Sequence, residues 1–263
     1  MLPVLQIGPL AIQTYPLLVV LAGWAALAVG ARAARLLQFD GDHVYNAGLY
    51  GFVGGVIAAR LAHVVRFWPA YRSQPLEIFG FNTTAFLLWP GVVAAVAVAG
   101  WYIYRRRLPL RPMLDAFAPG LLVGLAIAAM GALLAGRNAG AATDLPWAID
   151  LWGVRRHPVQ AYEALGFLGV AAVSCAALRA GARLKIADGK SKMGVRPGAL
   201  ALTALLGWGL VVWFVEAFRT PEVAPTFGWP ALLGGVRVWQ VVGLGAALVA
   251  MGALRARARP MED

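Results

Sequence analysis

Residues 155–178 read RRHPVQAYEALGFLGVAAVSCAAL, and their reading decides the fold. A polar head, residues 155–163, runs directly into a long apolar stretch, residues 164–178. Pro158 suits the first turn of a helix, where its missing N–H would have had no partner. His157 then falls near the N-cap. Gln160 and Glu163, at i and i+3, share one face about one turn inside. The apolar remainder has the character of a membrane-crossing helix. A carboxylate at the mouth of such a helix is costly unless neutralised or paired, so Glu163 is a candidate functional residue by default.

The composition extends that reading to the whole chain. Of 263 residues, 60% are hydrophobic and only 13% charged, with a mean hydropathy of +0.70. A soluble domain carries roughly a quarter charged residues. Seven segments approach the ~20 residues that a bilayer demands: 16–36, 44–65, 84–104, 114–135, 158–178, 197–218 and 236–254. The expected fold is therefore all-α, a polytopic integral membrane bundle of seven transmembrane helices forming a single domain. Residues 1–15 are apolar but short and proline-bearing, with Gly8-Pro9 setting them off, and read as an interfacial lead-in. No basic n-region precedes them, so no cleavable leader is expected. Cys175, the single cysteine, sits in an apolar run and reads as a small core residue, excluding an internal disulfide or a thiolate metal site. No metal or other cofactor is expected.

The formal net charge of +11 is distributed in loops and does not form a stripe that would suit nucleic acid. Fifteen Lys and Arg follow the odd-numbered spans, among them Arg32, Arg105, Arg106, Arg107, Lys190, Lys192 and Arg259, against seven on the other side. The positive-inside rule then places the N-terminus outside and the C-terminus in the cytoplasm. The 155–163 head, the loop after Gly136 and the Arg219 segment all fall on the outer side, where they can meet. Trp68, Trp101, Trp147, Trp152, Trp229 and Trp239 near span ends fit interfacial belts. The basic clusters double as contacts for anionic membrane lipid.

The second span is rich in small residues, and Gly51 and Gly55 form a GxxxG that admits a close helix neighbour. Arg60 and His63 follow one turn apart. Two readings of Arg60 stay open, an interfacial arginine or acid partner on one side and a ligand-binding group on the other. At the end of the sixth span Glu216 and Arg219 stand at i, i+3, which suits an intrahelical ion pair. Arg237, Trp239 and Gln240 open the seventh. Glu163, Glu216, Arg60, Arg219, Gln160 and Gln240 together exceed what a passive bundle needs. A cavity lined by Arg, Gln and Glu suits a phosphate headgroup, because the guanidinium fork matches phosphate oxygens.

These residues resemble, in order along the chain, the prolipoprotein diacylglyceryl transferase family. Residues 8–12 with Tyr15 look like its opening, residues 54–61 like its second-span glycine motif, and residues 75–79 like its first outer loop. Residues 115–119 and 143–147 match in the centre. Residues 156–163, RHPVQAYE, are the most specific piece, and residues 215–222, VEAFRTPE, close the set with Gln240. The resemblance implies a bacterial inner-membrane enzyme that moves diacylglycerol from phosphatidylglycerol onto the lipobox cysteine of a prolipoprotein. It implies catalytic roles for Glu216, Arg219, His157 and Glu163, with Arg137 as the candidate that substitutes, from a nearby turn, for a family arginine the chain lacks. It implies substrate contacts for Tyr15, Arg60, Arg156, Gln160, Tyr162, Gly136, Gly140 and Gln240.

The chain departs from the family where a run like GRxGNFxNGE is expected. Ala129 stands at the arginine position, Ala132 and Ala135 at the asparagines, and Arg137 at the glutamate. Trp89 stands for a histidine and Val212 for an arginine four residues before Glu216. In the family those groups are held to grip the phosphate and help activate the thiol. Attack by a cysteine thiolate needs a base, here His157, Glu163 or Glu216. Departure of glycerol phosphate needs cations, here Arg219, Arg60, Arg156 or Arg137. Three readings follow: an active transferase with a rebuilt site, a relative that binds phospholipid or a partner without catalysis, and a small-solute transporter.

Overall fold

The computed structural model describes residues 3–8, 10–79, 85–188, 196–220 and 237–258. Thr84, Pro221, Glu222, Trp229, Val236, Lys190, Lys192, Arg259 and Pro9, which the sequence reading uses, lie outside the described residues. Seven long helices account for most of what is described: α1 Thr14–Leu36, α2 Gly41–Arg66, α4 Leu88–Arg105, α5 Leu110–Leu134, α6 Val159–Asp188, α7 Ala199–Glu216 and α8 Val238–Ala258. A short α3, Trp68–Ser73, and a 3-10 turn, Pro75–Phe79, connect α2 to α4.

Each of the seven expected segments contains a helix, and among the described residues six helices are long and apolar enough to cross a membrane. Six of the seven expected spans are therefore supported by length and composition. The helix that is not among them is α4, 18 residues with Trp89, Pro90, Trp101, Tyr102 and Tyr104 crowding its ends. Residues 85–87, counted in the expected third span, are not helical. The expected lead-in contains a short hairpin. Val4–Ile7 (β1) and Leu10–Gln13 (β2) pair antiparallel, turning at Gly8, whose φ of 60° is cheap only for glycine. VLQI and LAIQ do not alternate apolar with polar residues, so the sequence carries no strand pattern there.

α5 is the hub. Half of its apolar window is buried, against 17–33% for the other five, and it packs on α1, α6 and α7. Small residues let the backbones close in. A Cβ on Gly120 would lie 2.2 Å from the Ala26 carbonyl of α1. The Gly51–Gly55 pair is used as the sequence suggests: a Cβ on Gly55 would lie 2.8 Å from the Gly91 carbonyl of α4. Gly209 and Gly243 bring α7 and α8 together in the same way. Gly120→Ala is therefore expected to push α1 off α5 and cost about 1–3 kcal/mol, as overpacked cores do. A lowered midpoint of thermal unfolding in detergent checks it; an unchanged midpoint contradicts the contact.

The helices alternate, so α1, α4, α6 and α8 start where α2, α5 and α7 end. Leu87 N–H bonds the Ala59 carbonyl, Tyr15 meets Arg137 and Trp89 meets Trp239, all at that end. At the other end α7 starts without a side-chain cap of its own. Instead Asp115, buried on α5, accepts from the Gly198 N–H at 2.5 Å and the Ala201 N–H at 2.9 Å.

Candidate functional site

Three segments converge at the end where α6 begins and α7 finishes. The loop after α5 is sewn to both others by main-chain bonds: Ala141 N–H to Phe218 O at 2.7 Å, His157 N–H to Ala141 O at 3.0 Å and Thr220 N–H to Ala139 O at 3.2 Å. Gly140 bridges to Arg219 and Ala142 to Arg156. Gly140 must be glycine, since a Cβ would fall 2.2 Å from the His157 carbonyl. Gly136, with φ of 68°, turns the chain out of α5. A hairpin, β3 Ile149–Leu151 and β4 Val154–Arg156, then delivers the chain to α6 through a turn at Trp152 and Gly153, both at positive φ. The meeting of these segments, expected from loop placement, is realised.

Four charges occupy the junction. Arg219 Nη2 donates to Glu163 Oε1 at 2.5 Å and Nε to Glu216 Oε2 at 2.9 Å. Arg237 Nη1 donates to the Glu216 carbonyl at 2.6 Å and lies 3.9 Å from Glu216 Oε1. Side-chain exposures are 13% for Arg219, 19% for Glu163, 10% for Glu216 and 21% for Arg237, so water screens none of them well. Two carboxylates and two guanidiniums make the cluster formally neutral, the condition under which buried charge is tolerated. Among the described residues Arg219 Nη1 has no acceptor, so its two N–H groups can face a further anion.

The sequence reading pairs Arg219 with Glu216; Glu163 as the second partner required the fold. Arg237 belongs to the network although the sequence does not mark it as a site residue. Its one sequence signal is its place beside Gln240 at the opening of a span. Gln240 itself turns inward on its own helix, its Oε1 accepting the Arg237 N–H at 3.0 Å.

The remaining predicted residues divide into groups. Gln160, fully buried, donates from Nε2 to the Arg137 and Asn138 carbonyls, and among the described residues its Oε1 has no partner. Arg137 lies with its guanidinium 4.5 Å from the Tyr15 ring centre on an exposed turn. Arg156 Nη1 donates to the Gly140 carbonyl at 3.2 Å. His157 Nδ1 contacts the Tyr162 hydroxyl at 3.3 Å, Trp147 Nε1 donates to the same hydroxyl at 2.8 Å, and Phe218 packs 5.0 Å from the His157 ring. His157 is thus tied to an aromatic group beside the carboxylates. Arg60 is engaged elsewhere at the same end, donating to the Glu77, Ile78 and Ala85 carbonyls. It fastens the connection between α3 and α4, and takes the main chain of Glu77, not its carboxylate.

The departures have a structural counterpart. Ala129 is buried in an apolar cluster with Ala126, Ala164 and Phe167, and Val212 packs against the same cluster. Trp89 stacks on Trp239, rings 5.5 Å apart and 12° from parallel. These positions are occupied by packed hydrocarbon and ring stacking. Among the described residues no group of three His, Cys, Asp or Glu could hold a metal ion.

Fold and site together define a polytopic helical membrane protein with a paired, largely dehydrated ionic site at one end of the bundle. The family model described as prolipoprotein diacylglyceryl transferase matches residues 3–255. The chain belongs to that family. It is 27% identical over 259 residues to the phosphatidylglycerol–prolipoprotein diacylglyceryl transferase of Synechococcus elongatus, covering 95% of this chain and 84% of the relative. A protein of the same name from Gluconobacter oxydans is 29% identical over 257 residues, 94% and 89% covered. One from Nostoc is 26% identical over 275 residues, 99% and 92% covered.

Proposed function

We propose that this chain is a diacylglyceryl transferase acting on phosphatidylglycerol and the lipobox cysteine of a prolipoprotein, with a rebuilt anion site. The observation that carries the reading is the Glu163–Arg219–Glu216–Arg237 network. A bundle that merely filled a membrane would have no use for four such costly groups. In the reaction the cysteine sulfur attacks the glycerol carbon next to phosphate. A C–S bond forms, the C–O bond to phosphate breaks, and glycerol phosphate leaves with the bonding pair. The thiol proton passes to a carboxylate of the pair, Glu216 or Glu163, or to His157. Nη1 of Arg219, with Arg137 from the exposed turn, meets the growing phosphate charge. Tyr15, Arg156, Gln160 and Tyr162 shape the seat, with Gly136 and Gly140 shaping its loop; Arg60 and Gln240 support from behind.

The same reading takes α4 as a seventh span, all seven forming a single domain, with the site end and N-terminus outside the inner membrane of a bacterium and the C-terminus inside. One observation favours a second reading, a relative that holds phospholipid without catalysis. Ala129 and Val212 share one apolar cluster, so both lost cations are replaced by the same packed hydrocarbon. Family membership argues against the transporter.

Complementation decides between them. A cell depleted of its own transferase is supplied with this chain, and the mass of a model prolipoprotein is followed. Rescue is expected, and Glu216→Gln is expected to reduce diacylglyceryl transfer by about 10²–10³-fold at unchanged membrane level, the usual cost of one well-placed electrostatic group. An inserted protein that gives no rescue yet co-purifies with phosphatidylglycerol establishes the second reading.

A further inference from the structure

At the end of the bundle opposite the ionic site, a cavity of about 470 Å³ opens between α2 and α4, lined by Tyr50, Trp101, Tyr102, Arg105 and Arg106. We infer that it is a second lipid site, a seat for the headgroup of an anionic glycerophospholipid in the leaflet remote from Arg219. It lies outside the proposed reaction site and takes no part in the chemistry.

The lining has the parts such a headgroup needs. Arg105 and Arg106 close the last turn of α4, and neither forms an ion pair with a described carboxylate. Arg106 lies over the Tyr102 ring at 5.8 Å, which orients its guanidinium without consuming its donors. Tyr102 is fixed in turn: its hydroxyl contacts His43 Nδ1 at 3.1 Å and its ring packs 5.6 Å from Tyr50. The cation is therefore held by a stacked column that begins on α2. Trp101 is 64% and Tyr50 50% exposed, aromatic edges of the kind that settle at headgroup depth. Below them, exposed Val53 and Ile57 continue the Tyr50 face of α2, an apolar lane for acyl chains. Basic pockets between membrane helices suit anionic lipid in this way. A dissolved anion would need the arginines but not the lane.

The test uses the purified full chain in neutral detergent with a photoactivatable phosphatidylglycerol, adducts being mapped by mass spectrometry. Adducts are expected on the Tyr50 and Trp101 segments as well as at the Arg219 end. Arg105→Gln with Arg106→Gln should weaken the first set by roughly 25-fold, about five-fold per arginine, and leave the second unchanged. Both side chains are exposed, and if the double variant fails to express, Arg106→Gln alone should show about the five-fold loss. Unlabelled phosphatidylglycerol should compete, phosphatidylcholine and inorganic phosphate should not. Equal competition by phosphatidylcholine would reduce the cavity to an apolar seat, and displacement by inorganic phosphate would make it a free-anion site; either overturns the inference. So does labelling indifferent to the arginines. Loss of labelling at the Arg219 end alone would count against the transferase reading and not against this one.

Discussion

Replacing Arg219 by alanine is expected to remove activity by about 10²–10³-fold or more and to destabilise the protein by about 3–5 kcal/mol. The stability loss follows from what remains. Arg219 bonds Glu163 at 2.5 Å and Glu216 at 2.9 Å, with both carboxylates at most 19% exposed. Without it, Arg237 stays near Glu216 at 3.9 Å, and Glu163 has no described cation left. An unpaired buried charge costs more than the pair ever contributed, and protonation of Glu163 would relieve only part of that. Arg219→Lys is expected to fall between, because one ammonium cannot hold two carboxylates with the planar fork that Nε and Nη2 supply. A double substitution, Arg219→Leu with Glu163→Leu, separates the two effects. It should recover much of the stability and none of the transfer. Thermal unfolding in detergent and prolipoprotein mass in complemented cells read the two quantities. Full activity in Arg219→Ala would remove this residue from the chemistry.

Asp115→Ala carries the second large effect, at the other end of the molecule. Asp115 is 1% exposed and its two oxygens receive the N–H groups of Gly198 and Ala201, 83 and 86 residues away along the chain. Helix α7 is preceded by Gly198, an N-cap at φ 87° with no side chain to bond, so its first donors depend on a neighbour. Truncation leaves two poorly hydrated N–H groups unpaired, at about 1–3 kcal/mol each. Because α7 delivers Glu216 and Arg219 to the site, its loosening is expected to lower transfer as well as stability. Asp115→Asn keeps one good acceptor and should lose about half as much. An Asp115→Ala protein as stable as the parent would show that Gly198 and Ala201 are satisfied otherwise.

Helices and their rough limits were legible because length and hydropathy decide membrane helices locally: each expected span coincides with a helix to within a few residues, except at the mixed ends of α4 and at α6, which runs on to Asp188. The GxxxG of Gly51 and Gly55 was legible as a close contact, though only the fold names α4 as its partner. The site was half legible. The RHPVQAYE and VEAFRTPE runs marked Glu163, Glu216 and Arg219, since costly groups in apolar surroundings stand out against a simple background. Arg237 did not stand out, because a lone arginine at a span end is the ordinary membrane pattern.

What the chain determines by itself is local: which residues are helical, which are too polar for their setting, and where small residues permit contact. Tertiary structure alone decides who pairs with whom. It sends Arg219 to Glu163 across 56 residues, spends Arg60 on carbonyls and not on the ionic cluster, and gives Asp115 to the start of α7. It also closes Ala129 and Val212 into one cluster, although they lie on different helices. The reason is that pairing energies of buried charges depend steeply on distance and desolvation. Both are set by helix packing and not by separation along the chain.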